Sequence, residues 1–184
     1  MDETPFTRKP TLRGELVTLR PIRRDDADTI GRIIQDDEIA RLTGSVSSSE
    51  EKVNVETERF RDVYEAWSRA DDRLVLGIVD NATGDLVGEA VLHGWDRYNH
   101  SCNFRTFVAA DRHGRGLGTE ATDLIVHYGL AEMSMHRITL QVYDFNPRAR
   151  HVYEKVGFEH EGTGRDALLY DDEWVDVHYM AIIA

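Results

Sequence analysis

Residues 112 to 119, Arg-His-Gly-Arg-Gly-Leu-Gly-Thr, set three glycines at alternate positions among two arginines and a histidine. An apolar run from Phe104 to Ala110 leads into them. Leu117, Ala121, Leu124, Ile125 and Tyr128 lead out at helical spacing. Glycine lets a backbone approach a ligand closely, and a helix starting there offers unpartnered N–H groups and the positive end of its dipole. The chemistry of such a loop is to hold phosphate. A Walker A loop is excluded, because Gly118 is followed by Thr119 and Glu120 where a Lys-Ser/Thr pair is required. Gly114-x-Gly116-x-x-Thr119 comes closer to a dinucleotide fingerprint. That fold needs further parallel β–α units, whereas one helix and an antiparallel-looking tail remain. A glycine turn without a ligand would leave Arg112, His113 and Arg115 clustered for no reason in an acidic chain.

Three other places carry reactive side chains. Tyr153 stands on a helix with apolar positions Ala149, Val152 and Val156, so periodicity alone allows it a core role as readily as a chemical one. Glu89 interrupts the apolar run Leu86 to Leu92, and its neighbours Ala90 and Val91 leave its facing open. Cys102, the single cysteine, lies on an apolar run and reads as core. None of the eight histidines falls in a His-Glu-x-x-His or cysteine-rich arrangement, and Asp123 with His127 makes only two ligands, so no metal is expected.

The elements that must position these groups can be read in order. Residues 1–13 read as a loose N-terminal arm, and residues 14–184 as a single domain. Leu16 to Arg20 alternates as a first strand. Asp25 or Asp26 caps a helix through Ala27, Ile30, Ile33 and Ile34, and residues 37 to 47 form a polar loop. Ser48 and Glu51 then form a capping box for a second helix bearing Val53, Phe60, Val63, Tyr64 and Trp67. Leu74–Val79 and Leu86–Leu92 pair as a hairpin across Asp80 to Asp85, and Cys102–Val108 and Arg137–Tyr143 are further strands. Asn146 as N-cap, Pro147 at the first turn and Gly157 past the end punctuate the helix that holds Tyr153. Phe158–Gly164 and Trp174–Ile183 close the chain as strands about the turn Asp171-Asp172.

A chain of 184 residues with a 41% hydrophobic and 30% charged share suits one globular domain that needs no disulfide. Its net charge of −12 disfavours nucleic acid, whose phosphates are met by clustered lysine and arginine, and would draw cationic amines inward. The N-terminal residues lack a signal-peptide pattern and no apolar run is long enough for a membrane span, so a cytoplasmic location is expected.

The run His113-x-x-Gly116-x-Gly118 after a strand resembles the pyrophosphate loop of the GNAT acetyl-CoA-dependent N-acetyltransferases. Gly116 to Ala121, Met135-His136-Arg137, Asn146-x-Arg148-Ala149, Tyr153-Glu154-Lys155-x-Gly157-Phe158, Glu161-Gly162, Arg165 and Trp174-Val175-Asp176 follow in the order of its RimJ/RimL-type branch. The resemblance implies a mixed α/β (α+β) GNAT fold: a mostly antiparallel sheet of about seven strands, one splayed strand pair and flanking helices. It implies acetyl-CoA as co-substrate, held by backbone N–H groups of Arg115, Gly116, Leu117, Gly118 and Thr119. The Arg112 and Arg115 side chains add charge there, Gly114 and His113 belong to the same loop, Phe107 and Val108 meet the pantetheine arm, and Asn146 and Ala149 meet its amides. His113 replaces the usual arginine or glutamine. Tyr153 is implied as the general acid beside the coenzyme sulfur. The family's glutamate before the loop is Asn103 here, so either Glu89 takes the acceptor proton or water carries it to solvent. The expected activity is acetyl transfer to a primary amine, such as a protein N-terminus or polyamine, by direct attack. The alternative is a non-catalytic acyl-CoA-binding module, and a homodimer is what the resemblance suggests.

Overall fold

Period-two apolar patterning builds one eight-stranded sheet in the computed structural model, which describes residues 4–184. The strands are β1 (Leu12–Arg13), β2 (Val17–Pro21), β3 (Leu74–Asp80), β4 (Leu86–Asp96), β5 (Ser101–Val108), β6 (Arg137–Tyr143), β7 (Glu159–Tyr170) and β8 (Glu173–Ile183). They lie in the order β1-β2-β3-β4-β5-β6-β8-β7. Neighbours are antiparallel except β5 and β6, which run parallel.

Five α-helices flank the sheet: α1 (Ala27–Ile34), α2 (Asp37–Leu42), α3 (Thr57–Arg69), α4 (Leu117–Ala131) and α5 (Pro147–Val156). Helix α4 is the crossover that makes the parallel β5/β6 pair topologically available. The main core joins Leu74, Leu76, Ile78, Ala90 and Leu92 of the sheet to Leu117, Ala121, Ile125 and Val126 of α4 and Tyr153 of α5. The opposite face buries Val75 and Val91 against Ile30 of α1 and Tyr64 of α3. A third cluster, Ala40, Val46 and Tyr170, fastens α2 to the β7–β8 hairpin.

The mixed, mostly antiparallel sheet is as expected, with β1, inside the expected arm, as its eighth strand. Several expectations are corrected. Residues 4–13 are tied down: Phe6 is fully buried against Trp95, and the Lys9 ammonium donates to the carbonyls of Ala70 and Arg73. Residues 1–3 of that arm lie outside the described residues. The polar loop expected from residue 37 begins with α2, capped by Asp36, whose carboxylate accepts from the backbone N–H groups of Glu38 and Ile39. Glu51 makes no capping box for α3. Its carboxylate accepts from the Ser47 N–H, and the helix starts at Thr57. Asp26 precedes α1 as expected but makes no side-chain cap; it turns back to Arg20 and the Arg23 N–H. The hairpin and the Asn146-Pro147 helix stand as read.

Candidate active site

Strands β5 and β6 pair only at Ser101–Arg137, Cys102–Ile138 and Asn103–Thr139. β5 continues to Val108 beside β4, and β6 continues to Tyr143 beside β8. A wedge therefore opens in mid-sheet, and its two inner backbone edges have no strand partner. Alternation divides its lining. Phe104 and Val108 of β5 and Leu140 and Val142 of β6 join the α4/α5 core, while Phe107 packs towards α1 and α3. Arg105 and Gln141 share the Phe107 face. This is the expected splayed pair.

The glycine loop closes the wide end of the wedge. Gly114 and Gly116 have φ of 75° and 83°, so the chain turns through the left-handed region into α4. Gly116 is the N-cap and supplies no side-chain acceptor. The first-turn N–H groups, at Leu117, Gly118 and Thr119, are thus left for an external acceptor. A pyrophosphate suits that donor set, so the residues present fit the expected coenzyme.

The loop's side chains are engaged differently from the sequence expectation. Arg112 and Arg115 reach Asp80 Oδ2 at 3.2 and 2.9 Å, and Arg112 also reaches Asp85 at 2.9 Å. The Asp80 side chain is 1% exposed. These arginines therefore fasten the loop to the β3–β4 turn, and their charge is already partnered. The Arg112 guanidinium is held above its usual range chiefly by its hydrogen bond to Asp85. His113 donates from Nε2 to the Val108 carbonyl at 2.7 Å, and its Nδ1 lies 3.8 Å from Glu38 Oε1. Arg148, in the first turn of α5, reaches the same Glu38 oxygen at 3.0 Å. Glu38 of α2 consequently bridges the two ends of the wedge mouth.

Helix α5 carries Tyr153 to the wedge wall. The ring is 7% exposed and meets Phe104 edge-on at 6.1 Å and Phe158 at 6.0 Å. Burial pushes its hydroxyl up to about 12, so the phenol keeps its proton. Asn146 Oδ1 accepts from the Ala149 N–H at 3.1 Å, which occupies that amide and leaves the Asn146 side-chain amide N–H groups for a ligand. Cys102 is buried, and its thiol is pushed up to about 12, which removes it as a nucleophile near neutrality.

Glu89 lies on the Phe107 face, a question its neighbours in sequence left open. It is 1% exposed; Oε2 accepts from the Tyr64 hydroxyl at 2.7 Å and Oε1 faces Arg105 Nη2 at 3.1 Å. Burial raises its carboxyl, with Arg105 and Tyr64 opposing the shift. The same burial, helped by Glu89, raises the Tyr64 phenol. Asn103 accepts from the Thr139 hydroxyl at 2.7 Å. Sequence reading missed Asp80, Glu38 and Arg105, because each works through a partner distant in the chain. The only available signal was an unpaired charge beside an apolar run.

Residues 17–159 match the acetyltransferase (GNAT) domain family. The chain is 27% identical over 139 residues to the spermidine N(1)-acetyltransferase of Vibrio cholerae, covering 71% of this chain and 80% of that protein. It is 33% identical over 114 residues to the L-amino acid N-acetyltransferase AaaT of Escherichia coli, covering 61% and 70%. The crystal structure of the Vibrio cholerae spermidine N-acetyltransferase in complex with CoA and spermine superposes with a TM-score of 0.80 at 22% identity, over 92% of this chain and 96% of that one. With the mid-sheet wedge and the family match in agreement, the chain belongs to the GNAT family of acetyltransferases.

Proposed function

We propose that this protein transfers the acetyl group of acetyl-CoA directly to a primary amine. The observation that carries the reading is the β5/β6 wedge, closed at its wide end by an uncapped helix N-terminus. The N–H groups of residues 115 to 119 hold the pyrophosphate, and the inner edge of β5 at Val108 receives the pantetheine arm; the expected Phe107 contact is set aside, because its carbonyl faces Gly88 of β4. The Asn146 side-chain amide adds a donor.

Tyr153 then gives its proton to the departing sulfur. A phenol near 12 would be a weak acid towards a solvated thiolate of about 8.5. In the same buried wall the thiolate is also desolvated and its own affinity for the proton rises, which narrows the gap. Glu89 acts here as a positioning residue: both its oxygens are engaged and sealed from solvent, so the acceptor proton leaves through water. Relatives bearing polyamine and amino-acid acceptors in their names support an amine acceptor without choosing one.

The test is thiol release from acetyl-CoA on addition of an amine panel to the purified chain. Amine-dependent release with a mass gain of one acetyl group on the amine is expected. Tight coenzyme binding with no release on any amine would overturn it.

A further inference from the structure

Arg105 stands where β5 leaves β6, two residues past the last strand pair and on the face opposite Tyr153. Its guanidinium is anchored on one side only. Nη2 lies 3.1 Å from Glu89, and the guanidinium carbon is 5.5 Å from the Trp67 ring. Glu89 is sealed at 1% exposure, yet the Arg105 side chain is 49% exposed. A guanidinium has five donors in a fork that matches a carboxylate, so the open edge can accept a second one.

The surrounding charges are already paired or held neutral. Arg73 also packs on Trp67, at 5.5 Å, and His93 pairs in register with Asn103 next to Arg105. Burial first, then Arg105 and Arg73, hold the His93 imidazole below its usual range. Asp72 is taken by Arg73 at 2.9 Å, and Arg137, on the same face of β6, is closed on Glu161 at 2.7 Å. The wedge neighbours Asn103, Thr139 and Gln141 are neutral. A chain of net charge −12 thus presents the half-exposed Arg105, and no free carboxylate among these residues, on the α1/α3 face of the wedge.

We infer that the acceptor is a primary amine that also carries a carboxylate, and that Arg105 is the specificity-determining residue that pairs with it. The inference rests on the acetyl-transfer reading above. A cation beside the amine also favours its neutral, nucleophilic form. A polyamine would instead bring like charge to Arg105.

The experiment compares kcat/KM for an α-amino acid, its carboxamide and spermidine, using the full chain and thiol release. The carboxylate-bearing amine is expected to exceed its amide by about 10- to 100-fold, the range of one charged hydrogen-bonded pair. Arg105→Gln should bring that ratio to about one through KM of the acid, and Arg105→Lys should restore part of it. Calorimetric affinity for acetyl-CoA in both variants reports that they remain folded. A wild-type preference for the amide or spermidine, or a ratio unchanged in Arg105→Gln, overturns the assignment of Arg105 while leaving acetyl transfer standing. Tight coenzyme binding with no thiol release on any amine overturns acetyl transfer itself, and this inference with it.

Discussion

Helices α4 and α5 begin on opposite sides of the same wedge, and they finish their N-termini in opposite ways. Helix α5 closes its own: Asn146 accepts from the Ala149 N–H, and Pro147 removes a donor that would otherwise need a partner. Helix α4 starts from left-handed Gly116 with no side-chain acceptor at all. One terminus is optimised for stability, and the other is left incomplete. The incompleteness is useful because what completes it is a ligand with acceptor oxygens. A helix end lacking its cap therefore points to the site more directly than any charged residue nearby, since the local arginines are held by Asp80 and Asp85.

The contrast can be broken most severely at Gly116. Gly116→Val places a β-branched residue at φ of 83°, and coenzyme binding should fall more than about 100-fold in a calorimetric titration. On α5, Tyr153→Phe should lower kcat by about 10²-fold with acetyl-CoA affinity unchanged, a separation that stopped-flow and equilibrium binding can measure. Unchanged turnover would remove Tyr153 from the chemistry. Asn146→Ala should cost about 1 kcal/mol in denaturant unfolding, whereas no comparable capping loss exists to be found at the head of α4. His113→Ala should weaken coenzyme binding only a few-fold, because the imidazole holds the Val108 carbonyl and the backbone N–H groups bind phosphate. The smallest effect is expected at Gly118. An added Cβ would sit 3.6 Å from the Val108 side chain, an ordinary contact, so Gly118→Ala should bind coenzyme nearly normally. It should gain about 0.5–1 kcal/mol of stability from helix propensity. A large loss there would show that the ligand approaches this position more closely than the loop geometry requires.

Legibility in the sequence followed the range of the interactions. Helix α5 was readable from Asn146, Pro147 and Gly157, since caps act over three or four residues. The β3–β4 hairpin was readable because its turn lies between its own strands. Helix α2 was not: at six residues it spans fewer than two turns, too few for a repeating apolar face, and it is held by packing near Tyr170 far along the chain. The Ser48–Glu51 pair failed because a capping box is only a local preference, and Glu51 found the Ser47 N–H first. At the site, the glycines and Tyr153 were visible as motif. The Asp80 anchor, the Glu38 bridge and the Glu89–Tyr64–Arg105 group were not, because period-two patterning says which face a residue takes only after register is known.

Glu120, in the opening turn of α4, accepts from the backbone N–H groups of Glu15, Leu16 and Val17 at 3.0, 2.8 and 2.7 Å. Gly14 is required beside it, since a Cβ there would come within 2.4 Å of Glu120 Oε2. Three amides more than a hundred residues upstream of Glu120 are thereby clamped by the helix that the loop begins. Their deuterium uptake should slow together whenever a ligand steadies that helix. The N-terminal hairpin is in this sense a built-in gauge, readable by mass spectrometry of one short peptide, of whether the helix end beside it is occupied.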